Sequence, residues 1–269
     1  MGNSILKYPG SKWRIAKQIV ELIPSHRSYL KPFFGSGAVL FSKPPSPIET
    51  INDIDGDVVN LFRCVREHPV ELSRAVKLTP YSREVYEGSC RAAGDESEPV
   101  EKALNFLVRC WQGYGYRTNQ KVGWKSDVQG RERAYALLEW CELPERIIDT
   151  VDRLKRVQIE NRQALDVIRR FNYENVFMYL DPPYILGSRA EKQKQYKNEM
   201  TDQDHEELLK ELLSSKAKIM ISGYESEMYD DYLQGWEKRT FLSHTQMGKR
   251  RQEVVWMNYE IDKQMRLEL

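Results

Sequence analysis

Apolar residues change their spacing along this chain, and each change marks an element. Between residues 12 and 23, Ile15, Ala16, Ile19, Val20 and Ile23 recur at helical spacing, and Pro24 closes the segment. Residues 28–31 read as a short strand that runs into a glycine turn, PFFGSGAVLF. A second strand is predicted at 49–54 and a helix at 57–65, with Val58, Leu61, Phe62 and Val65 on one face. Residues 176–180, VFMYL, are a continuous apolar run of the kind buried on both sides within a parallel sheet. After a polar, lysine-rich loop, Leu208, Leu209, Leu212 and Leu213 define a helix whose start is signalled by Thr201 with Asp204 three residues on. Strands are expected at 217–222, 238–242 and 253–259, the last alternating like one arm of an antiparallel hairpin.

The stretch from about 66 to 154 has a different texture. It is charged, rich in arginine and aromatic residues, and without long apolar strands; alternation of strand and helix resumes near residue 157. No internal repeat or low-complexity tract is present. The pattern therefore predicts an α/β fold: a mostly parallel sheet with helices on both faces, interrupted by an insertion of about 90 residues. In such sheets ligands sit beyond the carboxyl ends of the strands, so candidate chemistry is sought there.

Composition narrows the possibilities. A chain of 269 residues has room for one large domain, or one domain with an insertion, and for a core that needs no disulfide or metal staple. Lys plus Arg number 41 against 40 Asp plus Glu, a net charge of +1, which excludes a protein basic over its whole surface. Any nucleic-acid contact must come from a local patch. With 30% charged and 41% hydrophobic residues the composition is that of a soluble globular protein. No apolar run approaches the ~18 residues of a membrane span, and the N-terminus lacks the apolar core of a signal peptide. The start MGNSIL loosely fits an N-myristoylation signal, but the residues after it belong to a stronger motif. Cys64, Cys90, Cys110 and Cys141 form no CxxC pair, and His26, His68, His205 and His244 complete no ligand pattern with them. Reduced thiols in a cytoplasm, with no structural zinc, are expected. His205 is expected on the surface of its helix.

Three places carry candidate chemistry. Gly35 and Gly37 follow the first strand and allow a tight turn or a close approach to a ligand. Asp53 ends the second strand, where a carboxylate either accepts from both hydroxyls of a ribose or caps the helix starting near residue 57. Together they favour an adenosine-containing ligand, and Leu40 at the third glycine position argues against a dinucleotide. Directly after VFMYL comes Asp181-Pro182-Pro183-Tyr184. The prolines remove backbone donors and stiffen the chain. What remains is a pair of acceptors, the Asp181 carboxylate and the Pro182 carbonyl, beside the flat face of Tyr184. Two acceptors and a stacking face describe a site for a planar aromatic amine.

These motifs, in this order, resemble the Dam-type, or class alpha, DNA adenine-N6 methyltransferases over most of the chain. Lys7-Tyr8-Pro9-Gly10-Ser11-Lys12 is similar to the family's Lys-(Trp/Tyr)-x-Gly-(Gly/Ser)-Lys opening, and Phe33-x-Gly35-x-Gly37 to its Phe-x-Gly-x-Gly turn. Asn52-Asp53-Ile54 is similar to its acidic strand end, Asp181–Tyr184 to its Asp-Pro-Pro-Tyr motif, and the tail from Arg251 through Glu253 to Tyr259 to its last strand. The resemblance implies a Rossmann-like, S-adenosylmethionine-dependent methyltransferase sheet made of residues 1–62 and 157–269. It implies an inserted, mainly helical target-recognition domain at 63–156. It also implies that a flipped-out adenine of double-stranded DNA receives a methyl group on N6. Cofactor binding would fall to Tyr8, Lys12, Phe33, Gly35, Gly37, Asp53 and Asp181, catalysis to Asp181, Pro182, Pro183 and Tyr184, and a DNA contact to Lys7. No metal is called for.

Recognition of DNA is expected from two further stretches. Residues 109–125 interleave basic, aromatic and glycine residues, with Arg117, Asn119, Gln120, Lys121, Trp124 and Lys125 as candidate contacts. Arg189, Lys194 and Lys197 stand in a loop after Tyr184 that could order over a flipped base. The turn Lys249-Arg250-Arg251 reads as a solvated turn. The sequence departs from the GATC-specific members, whose insertion carries an Asn-Gly-Leu run followed by Arg; here it reads GYGYRTNQKVGW, which leaves the recognition sequence open. The residue before Pro-Phe, often acidic in the family, is Lys31 here. Two alternatives share these residues: the same chemistry on RNA, and a catalytically silent DNA-binding relative. The expected setting is the cytoplasm of a bacterial or phage-infected cell, and the expected state a monomer that can dimerise on DNA.

Overall fold

The computed structural model describes residues 4–92, 97–116, 121–126, 128, 135–189, 194–244 and 250–261. The strands are β1 (Ser28–Lys31), β2 (Ile48–Asn52), β3 (Val157–Glu160), β4 (Val176–Leu180), β5 (Lys218–Gly223), β6 (Glu237–His244) and β7 (Arg250–Met257). The helices are α1 (Ala16–Glu21), α2 (Ala38–Ser42), α3 (Gly56–Glu67), α4 (Pro69–Leu78), α5 (Arg83–Arg91), α6 (Pro99–Gln112), α7 (Tyr135–Leu154), α8 (Ala164–Arg170), α9 (Asp202–Leu213) and α10 (Glu227–Tyr232). The chain folds into two compact units: residues 12–54, 157–194 and 198–269 form one, and 1–11, 55–156 and 195–197 the other.

The first unit is built on one sheet in the order β3-β2-β1-β4-β5-β7-β6. The pairs from β3 through β5 are parallel, and β7 pairs antiparallel with both β5 and β6. This is a mixed α/β sheet of the Rossmann-like kind, as the alternation of strands and helices predicts. The apolar run of β4 is buried at all five positions, as its lack of alternation predicts. Its residues still point alternately. Val176, Met178 and Leu180 join Leu30, Ile219 and Ile221 in a core covered by Ile168 of α8 and by Leu208, Leu209 and Leu212 of α9. Phe177 packs near Tyr29, their ring centroids 6.0 Å apart. The start of α9 carries the expected capping box: Thr201 Oγ1 accepts from Asp204 N, and the Asp204 carboxylate accepts from Thr201 N at 2.7 Å. Leu213 ends that helix exposed.

The parallel strands end along one edge, and the strand order changes direction between β1 and β4. Such a switch point opens a crevice, because the connections leave the two strands toward opposite sides. The helix expected at 12–23 is shorter in the structure. Its first turn is a tight one in which Ile15 N donates to Lys12 O, so Lys12 precedes α1 instead of lying on it.

In the second unit α3 to α7 pack around Trp111, Tyr86, Leu107 and Trp140. The N-terminal Ile5 and Leu6 are buried here, and the Ile5 carbonyl accepts from Trp111 Nε1 at 2.8 Å. Residues 1–11, 55–62 and 195–197 thus cluster with the helices, although the sequence boundaries join 1–62 to the sheet.

Candidate active site

The site is assembled from the carboxyl ends of β1, β2 and β4. Beyond β1 and β2, Asn52 binds three loops: its Nδ2 donates to the carbonyls of Pro32 (2.9 Å) and Arg162 (3.0 Å), and its Oδ1 accepts from Arg162 N. The adjoining Asp53 accepts from Gly35 N at 2.9 Å through Oδ2, and Asn161 Nδ2 donates to the Asp53 carbonyl at 2.7 Å. The glycine turn is therefore held by the acid that follows the next strand. Gly35 and Gly37 adopt φ of 54° and 71°. A Cβ on Gly37 would lie 2.6 Å from both Phe34 and Phe41, so packing behind the turn already demands glycine there. Asp53 does not cap the following helix. That cap is Asp55, whose carboxylate accepts from Asp57 N at 3.1 Å.

Past β4, the Asp181 carboxylate lies 2.9 Å from the ammonium of Lys12, which is 4% exposed. Lys12 also reaches Glu253 at 3.7 Å. Tyr184 donates its hydroxyl to the same Glu253 oxygen at 2.6 Å, lies 4.7 Å below the Lys12 ammonium, and meets Tyr224 edge-on at 4.6 Å. Burial and the carboxylates of Glu253 and Asp181 push the Tyr184 phenol well above its ordinary pKa, so it remains a donor. Pro182 is buried and Pro183 half-buried. Glu253 reaches this edge because β7 runs antiparallel: Val254 pairs with Gly223, which brings the start of β7 to the ends of the parallel strands. No local signal in the sequence announces that meeting.

Lys31, the last residue of β1, is 3% exposed. Its ammonium sits 4.4 Å from the centroid of Tyr179, the β4 residue that follows Met178, the partner of Leu30. Burial pulls its pKa down to about 8; the attraction of Asp181 opposes the shift and Lys12 adds to it.

Behind the Asp181–Tyr184 segment, His205 is buried, not on the surface as expected from its helix. Its Nδ1 meets Tyr229 Oη at 3.0 Å, and burial lowers its pKa to about 4. It is thus a neutral packing group at neutral pH. Arg189 is buried and donates with both terminal nitrogens to Glu199, at 2.9 and 2.7 Å, which clips the loop after Tyr184. Lys194 is exposed.

The remaining sequence candidates belong to the helical unit. Tyr8 is buried, donates to Asp55 at 3.4 Å, and packs 5.9 Å from Tyr196. Lys7 pairs with Glu139 and stands 4.2 Å over Trp111. Lys197 pairs with Asp57 at 3.3 Å and approaches Asp55 at 3.9 Å. Trp124 bridges to Gly113 and packs 5.7 Å from Tyr81 and 5.0 Å from the Arg83 guanidinium. Lys121 is exposed and Lys125 half-buried. Arg117, Asn119 and Gln120 lie outside the described residues, as does Lys249.

The sheet unit's edge thus offers a glycine turn tied to an acid on one side, an acid with two prolines and a tyrosine on the other, and a buried lysine between. Acids suit the hydroxyls of a ribose and the hydrogens of an amine, and a cation suits a carboxylate. The donor set accordingly fits an adenosyl amino acid such as S-adenosylmethionine. Among the described residues no group of three or more His, Cys, Asp or Glu could hold a metal ion, and no helix is long and apolar enough to cross a membrane.

Comparison with known proteins agrees with this chemistry. The family model described as D12 class N6 adenine-specific DNA methyltransferase matches residues 8–247. The type II methyltransferase M1.LlaDCHI of Lactococcus lactis subsp. cremoris is 25% identical over 245 residues, 84% of each chain. The type II methyltransferase M.MjaIII of Methanocaldococcus jannaschii is 24% identical over 94% of this chain and 98% of its own. A DNA N-6-adenine-methyltransferase of Escherichia phage P1 is 30% identical over 63 residues, 23% of this chain and 8% of its own.

Proposed function

The chain belongs to the D12 class N6 adenine-specific DNA methyltransferase family, and from that premise we propose how its residues methylate adenine N6 in double-stranded DNA. S-adenosylmethionine, when bound, supplies an electrophilic methyl carbon on a positively charged sulfur. Asp53 accepts from the ribose hydroxyls. Phe33, Gly35 and Gly37 form the turn alongside. For Tyr8 and Lys7, in the other unit, the cofactor and DNA roles rest on the family likeness alone.

The target adenine is flipped out of the duplex at a cost of a few kcal/mol. Contact with Tyr184 offsets part of this, on the order of 1–3 kcal/mol per stacked base. The Asp181 carboxylate and Pro182 carbonyl accept the two N6 hydrogens, which turns the nitrogen lone pair toward the methyl carbon. The methyl carbon would pass to N6 as its bond to sulfur breaks and the bonding pair stays on S-adenosylhomocysteine; Asp181 stands where it would stabilise the positive charge developing on N6 and take up the surplus proton. Lys12 holds Asp181 in place, and Glu253 anchors both Lys12 and Tyr184. The observation that carries this reading is the Lys12–Asp181 pair at 2.9 Å, at the end of the fully buried β4.

The helical unit is proposed to read the target sequence. Lys121, Lys125 and Lys194 supply phosphate contacts and Trp124 an aromatic one. Arg117, Asn119 and Gln120 keep that role on their sequence alone. Arg189 and Lys197 act by fixing the loop after Tyr184 while lying near DNA. The relatives' names support a modification or phage methylase; the cytoplasmic setting and a monomer that can dimerise on its site are part of the same proposal.

The test is single-molecule sequencing of DNA from a methylation-deficient bacterium producing this protein, beside an Asp181→Ala control. N6-methyladenine at one short motif, lost in the control, is the expected result and names the recognition sequence. Methylation that persists with Asp181→Ala removes the role assigned to this carboxylate. Soluble protein that binds cofactor but leaves DNA unmarked brings forward the two alternatives, an RNA substrate and a catalytically silent DNA-binding relative.

A further inference from the structure

Lys31 takes no part in the mechanism above, yet it is the most buried cation of the site, at 3% exposed. Among the described residues no carboxylate lies within ion-pair distance of its ammonium and no group accepts a hydrogen bond from it; its near neighbour is the Tyr179 ring. A buried, unpaired ammonium costs several kcal/mol. Lys12 is matched by Asp181 and Glu253, so Lys31 is the cation left over.

Its place in the sheet is specific. β1 lies between β2 and β4, so Lys31 stands between the end that carries Asp53 and the end that carries Asp181. A ligand whose ribose meets Asp53 and whose methyl group faces an amine at Asp181 must cross the end of β1. The amino-acid arm of such a ligand leaves from the same sulfur and ends in a carboxylate. Asp53, Asp181 and Glu253 repel a carboxylate; Lys31 is the complementary group.

We propose that Lys31 receives the α-carboxylate of the cofactor's methionine end, and that this contact makes the enzyme select adenosyl amino acids over adenosyl thioethers that lack the carboxylate. The inference rests on S-adenosylmethionine as the cofactor. A site that bonds a charged group rejects the analogue without it, because its own buried partner is then left unpaired.

Calorimetric titration of the full chain tests this with two ligands, S-adenosylhomocysteine and its decarboxylated analogue, which keeps the amine. Hydrogen bonds to a charged group are worth about 1.5–3 kcal/mol, so the wild type should prefer the carboxylate ligand on the order of 10- to 100-fold. In Lys31→Met that preference should fall to within about 3-fold, with the analogue's affinity preserved, and Lys31→Arg should keep most of it. Equal weakening of both ligands in Lys31→Met, or no preference in the wild type, overturns the assignment. The wild-type ratio does so without any variant, should Lys31→Met fail to fold. A wild type that binds neither ligand overturns the cofactor reading itself, a different result from either.

Discussion

Lys31→Met exchanges a buried ammonium for an apolar side chain of similar length, and its effect on stability has a definite sign. The folded pKa, about 8, lies below the ordinary 10.5, so the fold disfavours the charged form. That penalty is complete below pH 8 and fades as pH rises toward 10.5. At 1.36 kcal/mol per pH unit it is on the order of 3 kcal/mol. Lys31→Met should therefore be the more stable protein at pH 7, with the difference shrinking toward pH 10; urea denaturation at the two pH values measures it. The same titration reaches ligand binding. Lys31 faces Asp181, Asp53, Lys12 and the Tyr179 phenol, which burial keeps protonated. Above pH 8 the carboxylate ligand must bring a proton with it, so its advantage over the decarboxylated analogue should fall with rising pH. Glu253 allows a second prediction. Glu253→Gln can still accept from Tyr184 but no longer attracts Lys12. Single-turnover methylation should slow by about 10- to 100-fold, the 1.4–2.8 kcal/mol typical of a lost charged contact, with cofactor affinity changing much less.

Individual elements owe their stability to different sources, and substitutions should separate them. Met178, in the middle of β4, is fully buried between strands and α9-side leucines. Met178→Ala should cost about 2–5 kcal/mol of unfolding free energy through the cavity it leaves. Thr201 is an exposed cap, so Thr201→Ala should cost only about 1 kcal/mol by freeing the Asp204 N–H at the start of α9. Chemical denaturation of the two variants against the wild type gives both values. Similar losses would mean that α9 is held by its cap as much as by its leucines.

On the scale of the whole molecule, a net charge of +1 gives little long-range attraction to DNA. Affinity must come from a few local cations, and its salt dependence counts them. Each phosphate contact contributes about −0.9 to the slope of log affinity against log salt. Lys121→Ala with Lys125→Ala should reduce that slope by about 2, measured by fluorescence anisotropy on duplex DNA between low and physiological salt. An unchanged slope would move the phosphate contacts elsewhere in the helical unit.

What the sequence determined by itself is local. The period of apolar residues marked β1, β4, α3 and α9 with only end residues displaced, because burial of a strand or helix face follows directly from side-chain spacing. The Thr201 cap and the Asp181–Tyr184 motif were legible for the same reason: each acts on backbone within a few residues of itself. Tertiary structure decided what distant segments do to one another. Asp53 and Asp55 look interchangeable in sequence, yet one ties the glycine turn and the other caps α3. His205 lies inside because α10 places Tyr229 against it. Glu253 joins Lys12 and Tyr184 because β7 enters the sheet antiparallel, and Lys31 stands between two acids because β1 lies between β2 and β4. Strand order and direction arise from packing the whole sheet, and no short stretch of sequence encodes them.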